Sequence, residues 1–126
     1  MDLSKLKALE MPSEVIEVEI CGEKQPVKVF TPDDDVAAKI FGIGTDPRRD
    51  SGDVTIDISR LVLTTCVPEL SEEDVDLLLK KALSSAVLPI VAKARDLRAK
   101  HQKAIKAERE SAEKNSPKAD SVAARN

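Results

Sequence analysis

The 126-residue sequence contains no tryptophan, no tyrosine and only two phenylalanines. Its hydrophobic core must therefore be aliphatic, and the chain has little of the rigid aromatic surface on which many interfaces depend. Apolar residues still make up 41% of the chain, which is enough for a folded domain despite a charged fraction of 34%. The length predicts one domain, with some residues left outside its core.

Long apolar runs are absent as well. No stretch approaches the ~18 apolar residues that a membrane span needs, and the N-terminus lacks the continuous apolar region of a signal peptide. The two cysteines, Cys21 and Cys66, lie 45 positions apart, and neither has a second metal ligand near it. Free cysteine behaves as a small hydrophobe, so we expect two reduced, buried thiols. These features predict a soluble, intracellular protein without a membrane partner.

The sequence has little that could carry out catalysis. Its single histidine, His101, has no cysteine or carboxylate at the spacing of a zinc site or a catalytic dyad. Gly42-Ile43-Gly44 begins like a nucleotide-binding loop, but Pro47 occupies the third glycine position of that motif. Serines fall at helix starts and in loops, where hydrogen bonds to the backbone account for them. We therefore predict a protein that is not an enzyme and needs no metal or other cofactor.

A complete helix start is present at residues 70–75. If Ser71 is the N-cap, its hydroxyl accepts from the backbone N–H of Asp74, and the Asp74 carboxylate accepts from the N–H of Ser71. The acids at 72–74 also lie at the positive end of the helix dipole. The apolar residues that follow keep helical spacing: Val75, Leu78, Leu79, Ala82 and Leu83.

A second helix is predicted directly after the first. Ser84-Ser85 marks a break, and Pro89 restarts the helix because proline is tolerated in a first turn, where its missing N–H is no loss. Another apolar series follows at Ile90, Val91, Ala94 and Leu97. The sequence then becomes rich in charged helix formers, which predicts an exposed extension to about Glu113 and a disordered end from Asn115.

The N-terminal part has two different periodicities. Residues 2–10 suit one or two helical turns, which Pro12 ends. Residues 14–30 alternate with period two and predict a β-hairpin whose loop spans about four residues, 21–24. The alternating apolar residues are Val15, Val18 and Ile20 before the turn, with Ile16 beside them, and Val27 and Val29 after it. An isolated hairpin is marginal, so it must pack on helices.

A further helix is predicted after the hairpin. Thr31 is its expected N-cap, with Pro32 in the first helical position and Asp34 as the reciprocal acid. Gly42 is expected to end this helix. Its inward face is predicted to consist of Val36, Ala37, Ile40 and Phe41. The three acids at 33–35 leave a divalent-metal site as an alternative to their favourable place in a first helical turn.

The middle of the chain is predicted to contain a loop and one more helix. Turn-forming residues fill positions 44–53. Residues 54–58 alternate like a strand, whereas the apolar residues to Cys66 keep helical spacing. We predict a helix at about 56–66, with the β-branched residues as the reason to keep a strand as the alternative.

Charge divides the chain into two parts. Residues 1–92 carry 10 Lys and Arg against 18 Asp and Glu, whereas residues 93–126 carry 10 against 5. An acidic body with a basic tail indicates self-association or a partner that recognises one of them. We predict a helical body at 1–97 that includes the hairpin, and a charged helical extension with a disordered tail at 98–126. The expected fold class is mostly α (α+β), with a long, partly exposed C-terminal helix.

This order of elements resembles a known family. Val67-Pro68-Glu69-Leu70-Ser71 ends one helix and begins a short leucine-rich one, after a β-like N-terminus and before a charged C-terminal helix. The pattern, over about residues 14–97, is similar to that of the tail assembly chaperones of long-tailed, siphovirus-type bacteriophages. In that family several copies coat the tape measure protein, keep its helical apolar segments soluble, and leave as tail tube subunits polymerise.

The resemblance implies partners and a location. The expected partners are the tape measure protein, the tail tube protein and further copies of this chain, in the cytoplasm of the bacterial host and not in the mature virion. The resemblance also implies a longer form made by ribosomal frameshifting, and Glu113-Lys114-Asn115 could be encoded by a run of bases suited to a −1 slip. The candidate partner-binding residues are Leu77, Leu78, Val87, Ile90 and Val91, although the same residues could form the core.

Nucleic-acid binding is the alternative, together with a generic helical interaction module. It would use the basic C-terminal residues Lys93, Arg95, Arg98, Lys100, Lys103, Lys106 and Arg109. These side chains are spread around a helix and have no aromatic neighbour to stack on bases, and the rest of the chain is acidic. We therefore do not expect nucleic acid as the partner.

Overall fold

A hairpin and a set of helices share one aliphatic core. The computed structural model describes residues 1–114. Its elements are α1 (Ser4–Lys7), β1 (Ser13–Ile20), β2 (Glu23–Phe30), α2 (Asp34–Gly44), α3 (Ser51–Cys66), α4 (Glu72–Lys81), a π-helical turn (Leu83–Val87) and α5 (Leu88–Lys114). The predicted fold class, mostly helical with an N-terminal hairpin and a long C-terminal helix, is confirmed. The disorder predicted from Asn115 onward lies outside the described residues.

The hairpin is an antiparallel pair that runs from Ser13 opposite Phe30 to Ile20 opposite Glu23. Its turn contains two residues and not the four expected. Cys21 and Gly22 both have positive φ, at 54° and 81°, which is the requirement of a type I′ turn that matches the twist of two strands. Glu23 and Lys24, assigned to the loop from the sequence, therefore belong to β2.

One face of the hairpin packs on the helices. Val18 and Val29 are buried, and Ile16 packs against the same cluster. Val15 lies on the outer face and is largely exposed. The inward-facing residues of β1 are therefore Ile16, Val18 and Ile20. Val15 is not one of them, because neighbouring side chains in a strand point to opposite faces.

The start and the end of α2 differ from the prediction. Asp33 is the N-cap, and its side chain accepts from the backbone N–H of Val36. Thr31 instead ties the two strand ends together, because its hydroxyl and its N–H both donate to the carbonyl of Pro12, at 2.6 and 2.8 Å. The helix also continues past Gly42 to Gly44.

The helix predicted at about 56–66 is present and begins earlier, at Ser51. Asp50 caps it by accepting from the N–H of Asp53 at 2.8 Å. The expected loop at 44–53 is therefore reduced to residues 45–50. The buried side of α3 consists of Ile58, Ser59, Val62, Leu63 and Cys66.

The helix start predicted for α4 is confirmed in both of its hydrogen bonds. The Ser71 hydroxyl accepts from the N–H of Asp74 at 3.2 Å, and the Asp74 carboxylate accepts from the N–H of Ser71 at 3.1 Å. Val75 and Leu79 then face the core. A reciprocal cap of this kind contributes about 1 kcal/mol.

The break between the two helices lies at Ala82, whose backbone is not helical, and not at Ser84 and Ser85 as predicted. Both residues lie in the π-helical turn, where the N–H of Val87 donates to the carbonyl of Ala82 at 3.1 Å, and α5 continues from this turn without interruption. In a regular α-helix the ring of Pro89 would clash with the carbonyl of Ser85, four residues earlier. The wider π turn provides the room that this proline needs.

The core lies where α3, α4, the π-helical turn and α5 meet the inner face of the hairpin. Its members are Val18, Val29, Ile58, Val62, Leu63, Cys66, Val67, Val75, Leu79, Ala86, Val87, Ile90, Val91, Ala94 and Leu97. All are aliphatic residues or cysteine, as the composition requires. From Lys103 to Ala112 every side chain on α5 is exposed.

The two-residue turn yields a stability prediction. Asn-Gly is the preferred type I′ sequence, so Cys21→Asn should raise the thermal midpoint by a few degrees. Gly22→Val should lower it, because a β-branched residue at positive φ costs about 1–2 kcal/mol. Lys24→Asn, on the same hairpin outside the turn, is the matched control in a calorimetric comparison. Equal midpoints for all three variants would contradict this turn geometry.

Candidate protein-binding surface

The five residues predicted to bind a partner fall into two groups. Val87, Ile90 and Val91 are buried in the core. Leu78 is half-buried beside the core, and Leu77 is 55% exposed on the outer side of α4. Partner binding at these positions stays a prediction. Of the five residues, the two on α4, Leu77 and Leu78, are the ones that a partner could contact.

A groove opens between the hairpin and the start of α4, with a volume of about 270 Å³. We call it the hairpin groove. It is lined by Val18, Ile20, Gln25, Pro26, Val27, Glu69, Leu70, Asp74, Leu78, Ala86 and Ile90. Two of the predicted residues, Leu78 and Ile90, therefore lie in one groove with the apolar inner edge of the hairpin.

The hairpin groove has an apolar floor and an acidic rim. The floor comes from side chains that each element already directs inward, such as Val18 of β1 and Ile90 of α5. Glu69 and Asp74 are exposed at the rim, where the segment before α4 turns into its capped first turn. An apolar ligand with basic residues at its edges would be complementary to this surface.

A second groove, which we call the α2–α5 groove, has a volume of about 310 Å³. It is lined by Pro32, Ala37, Ile40, Phe41, Arg95, Arg98 and Ala99. The sequence placed Phe41 on the inward face of α2, yet its side chain is 71% exposed. Helical spacing identifies an apolar stripe, but it does not indicate which of its members a neighbouring helix covers. This groove was therefore missed from the sequence.

Arg98 lines the α2–α5 groove and is held by hydrogen bonds to α2 and to the residue before it. Its guanidinium donates to the carbonyl of Pro32 at 3.1 Å and to the carboxylate of Asp34 at 2.6 Å. The other acids at this helix start also have partners in the chain, since Asp33 caps α2 and Asp35 pairs with Lys39 at 3.1 Å. Over residues 1–114 no group of three or more histidine, cysteine or acidic side chains is arranged to hold a metal ion.

Part of the basic charge on α5 is neutralised within the chain. Lys93 contacts Glu14 at 3.0 Å and Asp96 at 3.6 Å, and Lys100 contacts the same two carboxylates at 3.8 and 3.2 Å. The hydrogen bond to Glu14 raises the pKa of Lys93, and the hydrogen bond from Lys100 lowers the pKa of Asp96. These two lysines, like Arg98, are therefore less available to phosphates than the sequence indicated.

The basic residues beyond Lys100 are in a different environment. Lys103, Lys106 and Arg109 are exposed on the projecting part of α5 and form no ion pair with any other side chain that the structure describes. His101 is half-buried on the same helix. Successive positions three residues apart drift around the helix, so these cations do not form one straight stripe.

The two thiols differ, which corrects the expectation that both are buried. Cys21 is exposed in the hairpin turn, whereas Cys66 is buried at the end of α3. Burial raises the pKa of the Cys66 thiol. Because the thiolate is the reactive form, Cys66 is protected both by its low exposure and by its protonation.

Comparison of the chain with protein-family models, with curated proteins and with solved structures finds no match in any of the three. None of the helices within residues 1–114 combines the length and the apolar character that crossing a membrane requires.

The contrast between the two thiols can be measured directly. At pH 8 a chromogenic disulfide reagent should label one thiol quickly in the folded protein and the second only after a denaturant is added. Cys21→Asn should remove the fast phase and keep the slow one. Fast labelling of both thiols in the folded protein would contradict the buried position of Cys66.

The two groups of candidate residues should respond differently to an introduced charge. Val87→Asp places a carboxylate in the core without a partner and should leave little folded protein. Leu77→Asp changes an exposed side chain and should alter the free energy of unfolding by less than about 1 kcal/mol. Circular dichroism and urea unfolding of the two variants provide the test. Equal losses of stability would show that Leu77 is covered in the folded protein.

Proposed function

We propose that this protein is a phage tail assembly chaperone whose hairpin groove binds helical segments of the tape measure protein. The resemblance at residues 67–71, within the wider pattern at about 14–97, supplies the family. The observation that carries the proposal is the hairpin groove, which is lined by the half-buried Leu78 and has the buried Ile90 at its floor. The confirmed α4 start, on which the resemblance depends, forms the rim of this groove.

The groove favours an amphipathic helix as its ligand. Such a helix presents apolar side chains at positions i, i+3, i+4 and i+7, and it would bury them against the floor of the groove. The acidic rim at Glu69 and Asp74 selects ligand segments with lysine or arginine beside that apolar stripe. Burial of the stripe would keep otherwise aggregating segments in solution.

Release of the ligand requires no nucleotide. A tail tube subunit that binds the same tape measure segment would displace the chaperone by competition, because each partner draws the shared ligand according to its affinity and concentration. The chaperone would then act in the host cytoplasm, as a homo-oligomer, and would be absent from the finished virion. It would have no catalytic role.

Co-expression with the tape measure protein tests this proposal. The wild-type chain should keep that partner soluble and co-purify with it, and the complex should resist 0.5 M salt because apolar burial is not screened. Glu69→Lys reverses a charge at the rim without touching the core, and Leu78→Asn adds a polar group to the floor. Both should reduce the co-purified amount severalfold. Ile105→Asp, an apolar-to-acid change on the projecting part of α5, is the matched control and should have no effect.

Nucleic-acid binding is the second candidate, and the exposed Lys103, Lys106 and Arg109 favour it. In that case affinity for duplex DNA should fall steeply with salt, in step with the phosphates neutralised. Replacing these three residues with glutamine should then abolish binding. Salt-sensitive DNA binding together with a tape measure protein that stays in the pellet would overturn the chaperone proposal.

A further inference from the structure

The hairpin has two free edges, because its sheet contains only β1 and β2 in the part of the chain that the structure describes. In an antiparallel pair, alternate residues direct their N–H and C=O groups to the partner strand, and the residues between them direct theirs outward. The N–H of Thr31 donates to the carbonyl of Pro12, which continues the register of the two strands. Counted from this bonded pair, the even-numbered residues of β1 pair with β2, whereas Val15, Glu17 and Glu19 face the free edge.

The edge of β2 is closed to a further strand. The same count places the backbone groups of Lys24, Pro26 and Lys28 at this edge. Pro26 lies in the middle of the row and has no N–H, so it interrupts hydrogen bonding along the edge. Lysine and proline on an edge strand are the residues with which natural sheets prevent pairing with other chains. An added strand is therefore disfavoured on this side of the hairpin.

The edge of β1 has no such protection. Its eight residues include neither proline nor lysine. Among residues 1–114, the outward N–H and C=O groups of Val15, Glu17 and Glu19 form no backbone hydrogen bond with another element. All three residues are exposed, and Val15 is 63% exposed although it is apolar. A row of unpaired backbone groups on a strand of this length is a template for strand addition.

The charges beside this edge select a basic ligand. Glu17 and Glu19 form no ion pair with any side chain that the structure describes. Lys24 and Lys28 lie on β2, so a strand added to β1 is about 4.8 Å from β1 and about twice as far from these lysines. The nearest charges to the added strand are therefore the two unpaired carboxylates.

The start of β1 is less suited to a basic ligand. Glu14 is already paired with Lys93 and Lys100, whose charges would repel another cation there. The complementary part of the edge is therefore residues 15–19, towards the turn.

A second copy of the chain does not fit this edge. Two β1 edges paired with each other would place acids of one copy beside acids of the other, and like charges opposite each other are destabilising. The β2 edge of another copy offers lysines, but Pro26 interrupts its backbone. The occupant that matches both the backbone and the charge belongs to a different protein.

We infer that the free edge of β1 binds an extended segment of a partner protein as a third, antiparallel strand. The segment has lysine or arginine opposite Glu17 and Glu19 and an apolar residue opposite Val15. Hydrogen bonds to the β1 backbone hold it, and the two carboxylates select its sequence. The ligand is a strand and not a helix, and it uses backbone groups at the edge of the hairpin. The inference therefore does not rest on the proposed function of the hairpin groove.

Hydrogen exchange of the full-length chain with a synthetic peptide tests the inference. The probe is Thr-Lys-Thr-Lys-Thr-Val-Thr with blocked ends, whose lysines lie opposite Glu19 and Glu17 and whose valine lies opposite Val15. In the free protein the N–H groups of these three residues should exchange quickly, whereas those of Ile16 and Val18 should exchange slowly because they pair with β2. At low salt, a saturating amount of peptide should slow the first group about tenfold or more, as measured by NMR.

The backbone of the peptide provides a matched pair of controls. Methylation of the backbone nitrogens of its two lysines removes the N–H groups that face β1 and should abolish binding. Methylation of the third and fifth residues, both threonine, changes N–H groups that face away and should leave binding intact. Equal binding of the two methylated peptides would overturn the inference, because attraction between charges alone would then account for it.

Variants of the protein test the edge and its charges separately. Val15→Pro removes one outward N–H from β1 and should weaken peptide binding about tenfold. Lys28→Pro makes the same change on the β2 edge, opposite Val15, and should leave binding unchanged. A chain with Glu17→Lys and Glu19→Lys should lose the lysine peptide and bind its counterpart with glutamate in place of lysine.

Three results would overturn the inference. The first is a wild-type exchange pattern that the lysine peptide leaves unchanged, and the second is equal binding of the glutamate peptide to the wild-type chain. The third is a wild-type dimer that Val15→Pro converts to monomers, because a second copy would then occupy the edge. No tape measure protein is present in these measurements, so a negative result leaves the chaperone proposal to its own test.

Discussion

Burial of Val18 and Val29 against the π-helical turn and α5 is the constraint on which the rest of the structure depends. A two-stranded hairpin is marginal by itself, and these two side chains anchor its inner face to the helices. The aliphatic composition makes this contact shape-dependent, since there is no large aromatic ring to fill gaps. Because the hairpin forms one wall of the hairpin groove, the same contact determines whether that groove exists.

Basic side chains of α5 form ion pairs and hydrogen bonds with the start of β1 and with the start of α2. Lys93 and Lys100 hold Glu14 at the start of β1, while Arg98 holds Pro32 and Asp34 before and within α2. Exposed ion pairs of this kind contribute little individually. Together they hold the start of β1 and the start of α2 on α5.

The structure could be predicted from the sequence wherever a local pattern of residues allowed only one arrangement. Ser71 and Asp74 have compatible partners only within their own helix start, so both hydrogen bonds could be predicted. Thr31 and Asp33 could each cap α2, and the competing carbonyl of Pro12, 19 residues away in sequence, decides between them. The exposure of Phe41 likewise depends on elements distant in sequence. The α2–α5 groove could not be found for this reason, whereas α4 could be identified as the carrier of an exposed apolar surface.

The C-terminal part of α5 projects well beyond the core of this small protein. From Leu97, the last core residue, to Lys114 the helix extends for about 25 Å. A partner that binds at this end of the helix would therefore lie well away from the core of the protein. A partner seated in either groove would therefore lie at a fixed separation from anything that binds near Lys114. A partner bound near Lys114 would thus be separated from the body of the protein by about four to five helical turns.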